Sequence, residues 1–94
     1  MAQAISRNGR KLITILVDGE QTRPTEAWWV VYGPEGAPVK AFPSDTITGD
    51  NIARAARVAW YGDTAAILAL NEGHRIELMS QKRFLKTVSQ HLPE

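Results

Sequence analysis

Two histidines, His74 and His91, are the only imidazoles in this chain of 94 residues, and it has no cysteine. Imidazole is the side chain best suited to proton transfer near neutral pH and to zinc ligation. Without cysteine there is no thiolate nucleophile, no zinc–thiolate site and no disulfide framework. The sequence has no HExxH pattern, so a metal site would need carboxylates gathered from distant positions. His74 follows a turn and His91 lies near the end of an apolar-periodic run. Both read as structural residues, and neither a catalytic site, a metal site nor a cofactor is expected.

Hydroxyls and acids cluster at Ser44-Asp45-Thr46 and Thr48-Gly49-Asp50. Such a group could serve a hydrolase only with a base beside it. No base stands at a suitable spacing, and the same residue types are those that close turns and cap helices. Gly33-Pro34-Glu35-Gly36 is glycine-rich but lacks the lysine of a phosphate-binding loop. It reads as a connection between strands. The chain is therefore expected not to be an enzyme.

Basic side chains offer a second kind of chemistry. Arg54 and Arg57 are three apart on one helical segment, and Lys82, Arg83 and Lys86 cluster on another. Residues 51–92 hold six Lys or Arg against three acids. Phosphate contacts combined with a stacking aromatic would make this a nucleic-acid surface. No helix-turn-helix spacing, RNA-recognition aromatic motif or zinc knuckle accompanies it. The net charge of +1 supplies no strong field for nucleic acid or for a membrane surface. Nucleic-acid binding, by a dimer using these two helix faces, is thus the alternative reading.

The elements that must carry these residues follow from hydropathy patterns. Residues 11–17, 26–32, 39–42, 65–70 and 74–79 read as about five strands, mostly antiparallel. Helices are expected over 45–62, capped at Thr48, and over 81–92, capped at Ser80. Ile52, Ala55, Ala56, Ala59 and Trp60 make the inward stripe of the first helix; Phe84, Leu85, Val88 and Leu92 make that of the second. Asn71-Glu72-Gly73 looks like a hairpin loop joining the last two strands. The expected class is α+β, in the order β-ββα-ββα, with two helices packed on one sheet. Residues 1–94 read as a single domain, with 1–10 as a flexible arm or a short extra strand. No segment approaches the length of a membrane span or shows the basic start and apolar run of a signal peptide, so a cytoplasmic protein is expected.

The strands raise a packing problem. Trp28 and Trp29 are adjacent in Ala27-Trp28-Trp29-Val30-Val31-Tyr32, so their rings must project to opposite faces. Residues 11–17 and 65–70 are apolar on both faces as well. A sheet apolar on both faces needs cover on both, and two helices supply too little. The expected consequence is an open face built from Ile13, Ile15, Val17, Trp29, Val31 and Ile67, covered by another protein or by a second copy of the chain. Trp28 would then face the core with Val30 and Tyr32. The function this implies is a small non-catalytic protein-binding module, a regulator, inhibitor or assembly protein acting through a sheet face or edge. Chains of this size are often phage- or plasmid-encoded inhibitors of host machinery, by analogy of size alone.

Overall fold

The computed structural model describes residues 4–5, 11–12 and 14–92. Its elements are β1 (Ala4–Ile5), β2 (Lys11–Leu12), β3 (Ile15–Val17), β4 (Glu20–Thr22), β5 (Ala27–Tyr32), β6 (Pro38–Pro43), α1 (Ile52–Trp60), α2 (Asp63–Asn71), β7 (Arg75–Ser80) and α3 (Gln81–Thr87). Short 3₁₀ turns occupy Pro24–Glu26 and Ser89–His91. The class is α+β and every strand pairing is antiparallel.

The central unit is a three-stranded sheet in the order β6-β5-β7. Its middle strand is the β-branched and aromatic run carrying both tryptophans, residue types that suit a pleated, covered surface. β6 pairs with one side of β5 and begins and ends with proline, as befits an edge. β1 with β2 and β3 with β4 form two further antiparallel pairs.

The main departure from expectation concerns residues 65–70. They form not a strand but the middle of α2, so the fold has three α-helices among the described residues and the second hairpin is absent. Alanine and leucine are strong helix formers, and Ala65 to Leu70 contains nothing else but Ile67. Asn71-Glu72-Gly73 is the exit of that helix rather than a hairpin loop. Glu72 N donates to the carbonyls of Leu68 and Ala69, and Gly73 takes a left-handed φ of 101°.

The extra helix changes the packing arithmetic. α1 and α2 form a helical hairpin, and α1 packs on β7. Lys40, opposite Val31 in the ladder, donates its ammonium to the Ala59 carbonyl of α1. The hairpin therefore covers the face that holds Trp29 and Val31. Ala55, Ala56 and Ala59 are buried, and their small side chains allow close approach. Ile52 of the expected stripe is exposed instead. The opposite face, with Trp28, Val30 and Tyr32, is covered by α3 through Phe84 and Val88. Trp28 and Phe84 stack with ring centroids 4.2 Å apart and planes 4° from parallel. Leu85, expected inward, faces solvent. Both sheet faces are thus covered from within the chain.

Candidate functional site

The residues expected to form an open apolar face are not open. Trp29 and Val31 are 0% and 1% exposed beneath the helical hairpin. Ile15 and Val17 are buried in a separate small cluster with Ala27, against which Leu78 packs. Ile13 lies outside the described residues. Only Ile67 is exposed, at 59%, and it sits on α2 rather than on a sheet. The error has two causes: α1, joined by a second helix where a strand was expected, lies over the Trp29 face, and Ile15 and Val17 belong to the β3–β4 pair rather than to the central sheet. The alternation of the two tryptophans does hold, since their rings lie on opposite faces, but each face has a helix over it.

Exposed apolar surface appears instead on α2. The helix turns Ala66 and Ala69 inward and leaves Ile67, Leu68 and Leu70 in solvent, the last two at 58% and 42% exposure. Thr64, Ile67, Leu68 and Asn71 fall at i, i+3, i+4 and i+7 and so share the outward side. That side carries no charge at its centre. Tyr61, in the turn between α1 and α2, is 92% exposed. It holds φ 59°, a left-handed conformation that disfavours residues with a Cβ. The Lys40 ammonium lies 5.3 Å from its ring centroid.

The basic residues divide between the two sides of the sheet, Arg54 and Arg57 with α1, and Lys82, Arg83 and Lys86 with α3. The structure does not join them into one surface. Arg54 donates to the Ile47 carbonyl at 3.1 Å. Arg57 pairs with Asp63 at 2.8 Å, bracing the α1–α2 turn. Arg83 is held by Asp18 at 3.0 Å and Glu77 at 3.1 Å. Lys82 and Lys86 remain exposed beside a shallow depression that Asp18 and Ser80 also line.

Ser44, Asp45 and Thr48 of the hydroxyl and acid cluster are taken up by turn structure. Asp45 Oδ1 accepts from Ile47 N at 2.9 Å and Thr48 N at 2.7 Å, and these bonds, the Thr48 amide foremost, hold its carboxyl below the ordinary carboxylate range. Ser44 and Thr48 are buried, with their hydroxyls 3.1 Å apart, and Ser44 Oγ donates to the Gly49 carbonyl at 2.7 Å. A nucleophile would have to be reachable, and these are not. Thr48 is not the helix cap; Asn51 is, accepting from Arg54 N at 3.1 Å. A cleft of about 630 Å³ runs between β3–β4 and residues 46–51, but its lining brings together no acid–base pair.

His74 contacts the Ala69 carbonyl through Nδ1 at 3.1 Å and meets Trp60 edge-on, with centroids 6.1 Å apart. It closes the end of α2 against α1. His91 is exposed in the final 3₁₀ turn. Among the described residues no group of three or more His, Asp or Glu side chains is placed to hold a metal ion. No described helix is long and apolar enough to cross a membrane.

A network that sequence reasoning missed runs along the α3 side. Asp18 Oδ2 accepts from Ser80 N at 2.9 Å, and Arg83 links Asp18 to Glu77. Glu77 Oε1 then accepts from the Tyr32 hydroxyl at 3.1 Å. Partial burial, reinforced by the Glu77 carboxylate, raises the Tyr32 phenol above its ordinary pKa. No local pattern could reveal a contact between residues 18 and 83.

Comparison with known proteins gives no relative: no protein-family model, no curated protein and no solved structure matches this chain.

Proposed function

We propose that the protein is a small non-catalytic protein-binding module whose contact surface is the outward stripe of α2, with Tyr61 at its rim. The observation that carries this reading is the orientation of α2. The helix buries Ala66 and Ala69 and presents Ile67, Leu68 and Leu70 to solvent. Surface helices ordinarily do the reverse. Contiguous exposed apolar side chains are a mark of interaction surfaces, and an exposed tyrosine is a frequent anchor there. The stripe's i, i+3, i+4, i+7 spacing and lack of central charge suit a partner protein that offers an apolar helix of its own. Action would be steric, by occupying that helix.

The test compares the wild type with an Ile67→Ser/Leu68→Ser double variant. The two should have equal thermal stability, and a protein captured from the native host by the wild type should be lost by the variant. Hydrogen exchange on the reconstituted pair should then show protection over residues 63–71. Undiminished binding by the double variant, with protection elsewhere, overturns the proposal. So does submicromolar, steeply salt-dependent binding to DNA or RNA, which marks a phosphate binder.

A further inference from the structure

β7 is the second edge of the central sheet: among the described residues β5 is the one strand hydrogen-bonded to it, and β3 packs against it without pairing. Two hydrogen bonds near its ends show which backbone groups face away from β5. Ser80 N donates to Asp18 Oδ2 at 2.9 Å, and His74 N donates to the Ala69 carbonyl at 3.0 Å. Backbone direction alternates along an antiparallel strand. Ile76 and Leu78, between those two positions, therefore also direct N–H and C=O outward. Among the described residues neither N–H has a hydrogen-bond partner. The two edges also differ in composition. β6 is blunted by Pro38 and Pro43, whereas β7, Arg75-Ile76-Glu77-Leu78-Met79-Ser80, has no proline.

We propose that β7 pairs antiparallel with β7 of a second copy, with the two-fold axis at Ile76, so that two three-stranded sheets become one. This rests on the sheet edge alone and is independent of the α2 surface. The charge pattern selects the register. With the axis at Ile76, Arg75 lies directly opposite the partner's Glu77, and Glu77 opposite the partner's Arg75. These are non-hydrogen-bonded positions, where side chains come closest. An axis at Glu77 would set two carboxylates against each other. In the chosen register Ile76 exchanges both its backbone bonds with its copy. Leu78 N reaches the partner's His74 carbonyl, while His74 N keeps its bond within its own chain. Glu77, bonded to Tyr32 and Arg83, is still 42% exposed and so can face a second cation.

Sedimentation velocity across a concentration series tests the pairing. The wild type should show a monomer–dimer equilibrium. Arg75→Glu should weaken it about tenfold or more, because two attractive pairs become repulsive, while Arg75→Lys keeps it. Ile76→Pro should fold and remain monomeric, since the N–H it removes points outward. The chain has no native cysteine, so single cysteines report register cleanly. Ile76→Cys should give an oxidised dimer, and Val39→Cys on β6 should not. A wild type that stays monomeric at millimolar concentration overturns the proposal. A dimer unaffected by Arg75→Glu, or abolished instead by Ile67→Ser/Leu68→Ser, overturns it as well, in the second case by placing self-association on α2.

Discussion

Arg83 on α3 lies 3.0 Å from Asp18 in the β3–β4 turn, a contact between residues 65 apart in sequence. Asp18 also receives the backbone N–H of Ser80, the residue that caps α3 by accepting from Arg83 N at 3.2 Å. One carboxylate thus fixes the start of a helix, the end of β7 and the tip of a hairpin together. Its own φ of 51° is a turn conformation that aspartate tolerates better than most residues.

The pH dependence of stability follows from this contact. The Ser80 N–H, aided by Arg83, lowers the Asp18 carboxyl below its ordinary value of 3.8. The folded state therefore takes up this proton less readily than the unfolded chain. Asp18's contribution is complete above the ordinary value and is lost as pH falls through the lower folded value. Asp18→Asn keeps the shape but not the charge. It should cost about 1 kcal/mol at neutral pH, and the difference from wild type should shrink toward about pH 2. Urea melts at several pH values measure this. A deficit unchanged at acid pH would show that the charge is irrelevant.

The two tryptophans give the next expectation. Trp29 is fully buried under the α1–α2 hairpin, and Trp28 is half-buried against Phe84. Trp29→Ala should cost about 3 to 5 kcal/mol, the range for large core truncations. Trp28→Ala, with less burial to lose, should cost about 2 to 3 kcal/mol. Neither loss should depend on protein concentration, since both rings pack within one chain. A concentration-dependent loss for Trp29→Ala alone would return that ring to an interface.

A charge placed under α1 probes the other side of the same contact. Ala56 is 4% exposed. A glutamate there must be desolvated or must force the helix off the sheet, at a cost of about 3 kcal/mol or more. Ala53→Glu, on the exposed side of the same helix, should change stability by less than about 0.5 kcal/mol. Equal melting of the two variants would mean that the alanine stripe does not face the sheet.

The pattern of success and failure in the sequence has physical roots. Residues 26–32 were legible because β-branched and aromatic side chains crowd an otherwise charged neighbourhood. Ser80 was legible as a cap because a hydroxyl stands before an amphipathic run. Residues 65–70 were not, because a six-residue apolar run satisfies a strand and a buried helix equally by period. Composition held the better signal: alanine and leucine favour helix, and Gly62-Asp63 supplies a break followed by an acid in the first turn. From that misreading came the apparent shortage of cover; the interface assigned to Ile15, Val17, Trp29 and Val31, all of them buried, also took β3 for a strand of the central sheet. The Asp18–Arg83–Glu77–Tyr32 chain was beyond local reading, since it forms only once three strands and a helix have met.

The helix assignment itself can be tested by substitution at Leu68. As a strand residue facing the core it would cost about 2 to 5 kcal/mol to truncate. On the solvent side of α2, at 58% exposure, Leu68→Gln should change stability by no more than about 0.5 kcal/mol. Leu68→Pro should instead cost about 3 kcal/mol, because proline removes a helical hydrogen bond and clashes with the preceding turn. A gentle glutamine paired with a severe proline is the signature of an exposed helix interior.

Tyr61 offers the sharpest separation of stability from function. Its left-handed φ of 59° is one that glycine adopts freely, and its ring is 92% exposed, so packing offers little in return. The ring's contact with the Lys40 ammonium, at 5.3 Å, is worth about 0.5 kcal/mol at an exposed position. Relief of the left-handed strain is worth about 1 kcal/mol. Tyr61→Gly should therefore leave the fold as stable as wild type or up to about 0.5 kcal/mol more so. If Tyr61 anchors the α2 surface, the same variant should weaken the partner complex by about 2 kcal/mol, as the loss of an aromatic hot spot does. Thermal melts and titration calorimetry on the same preparations read the two effects separately. A variant both less stable and undiminished in binding would make Tyr61 a structural residue and remove it from the contact surface.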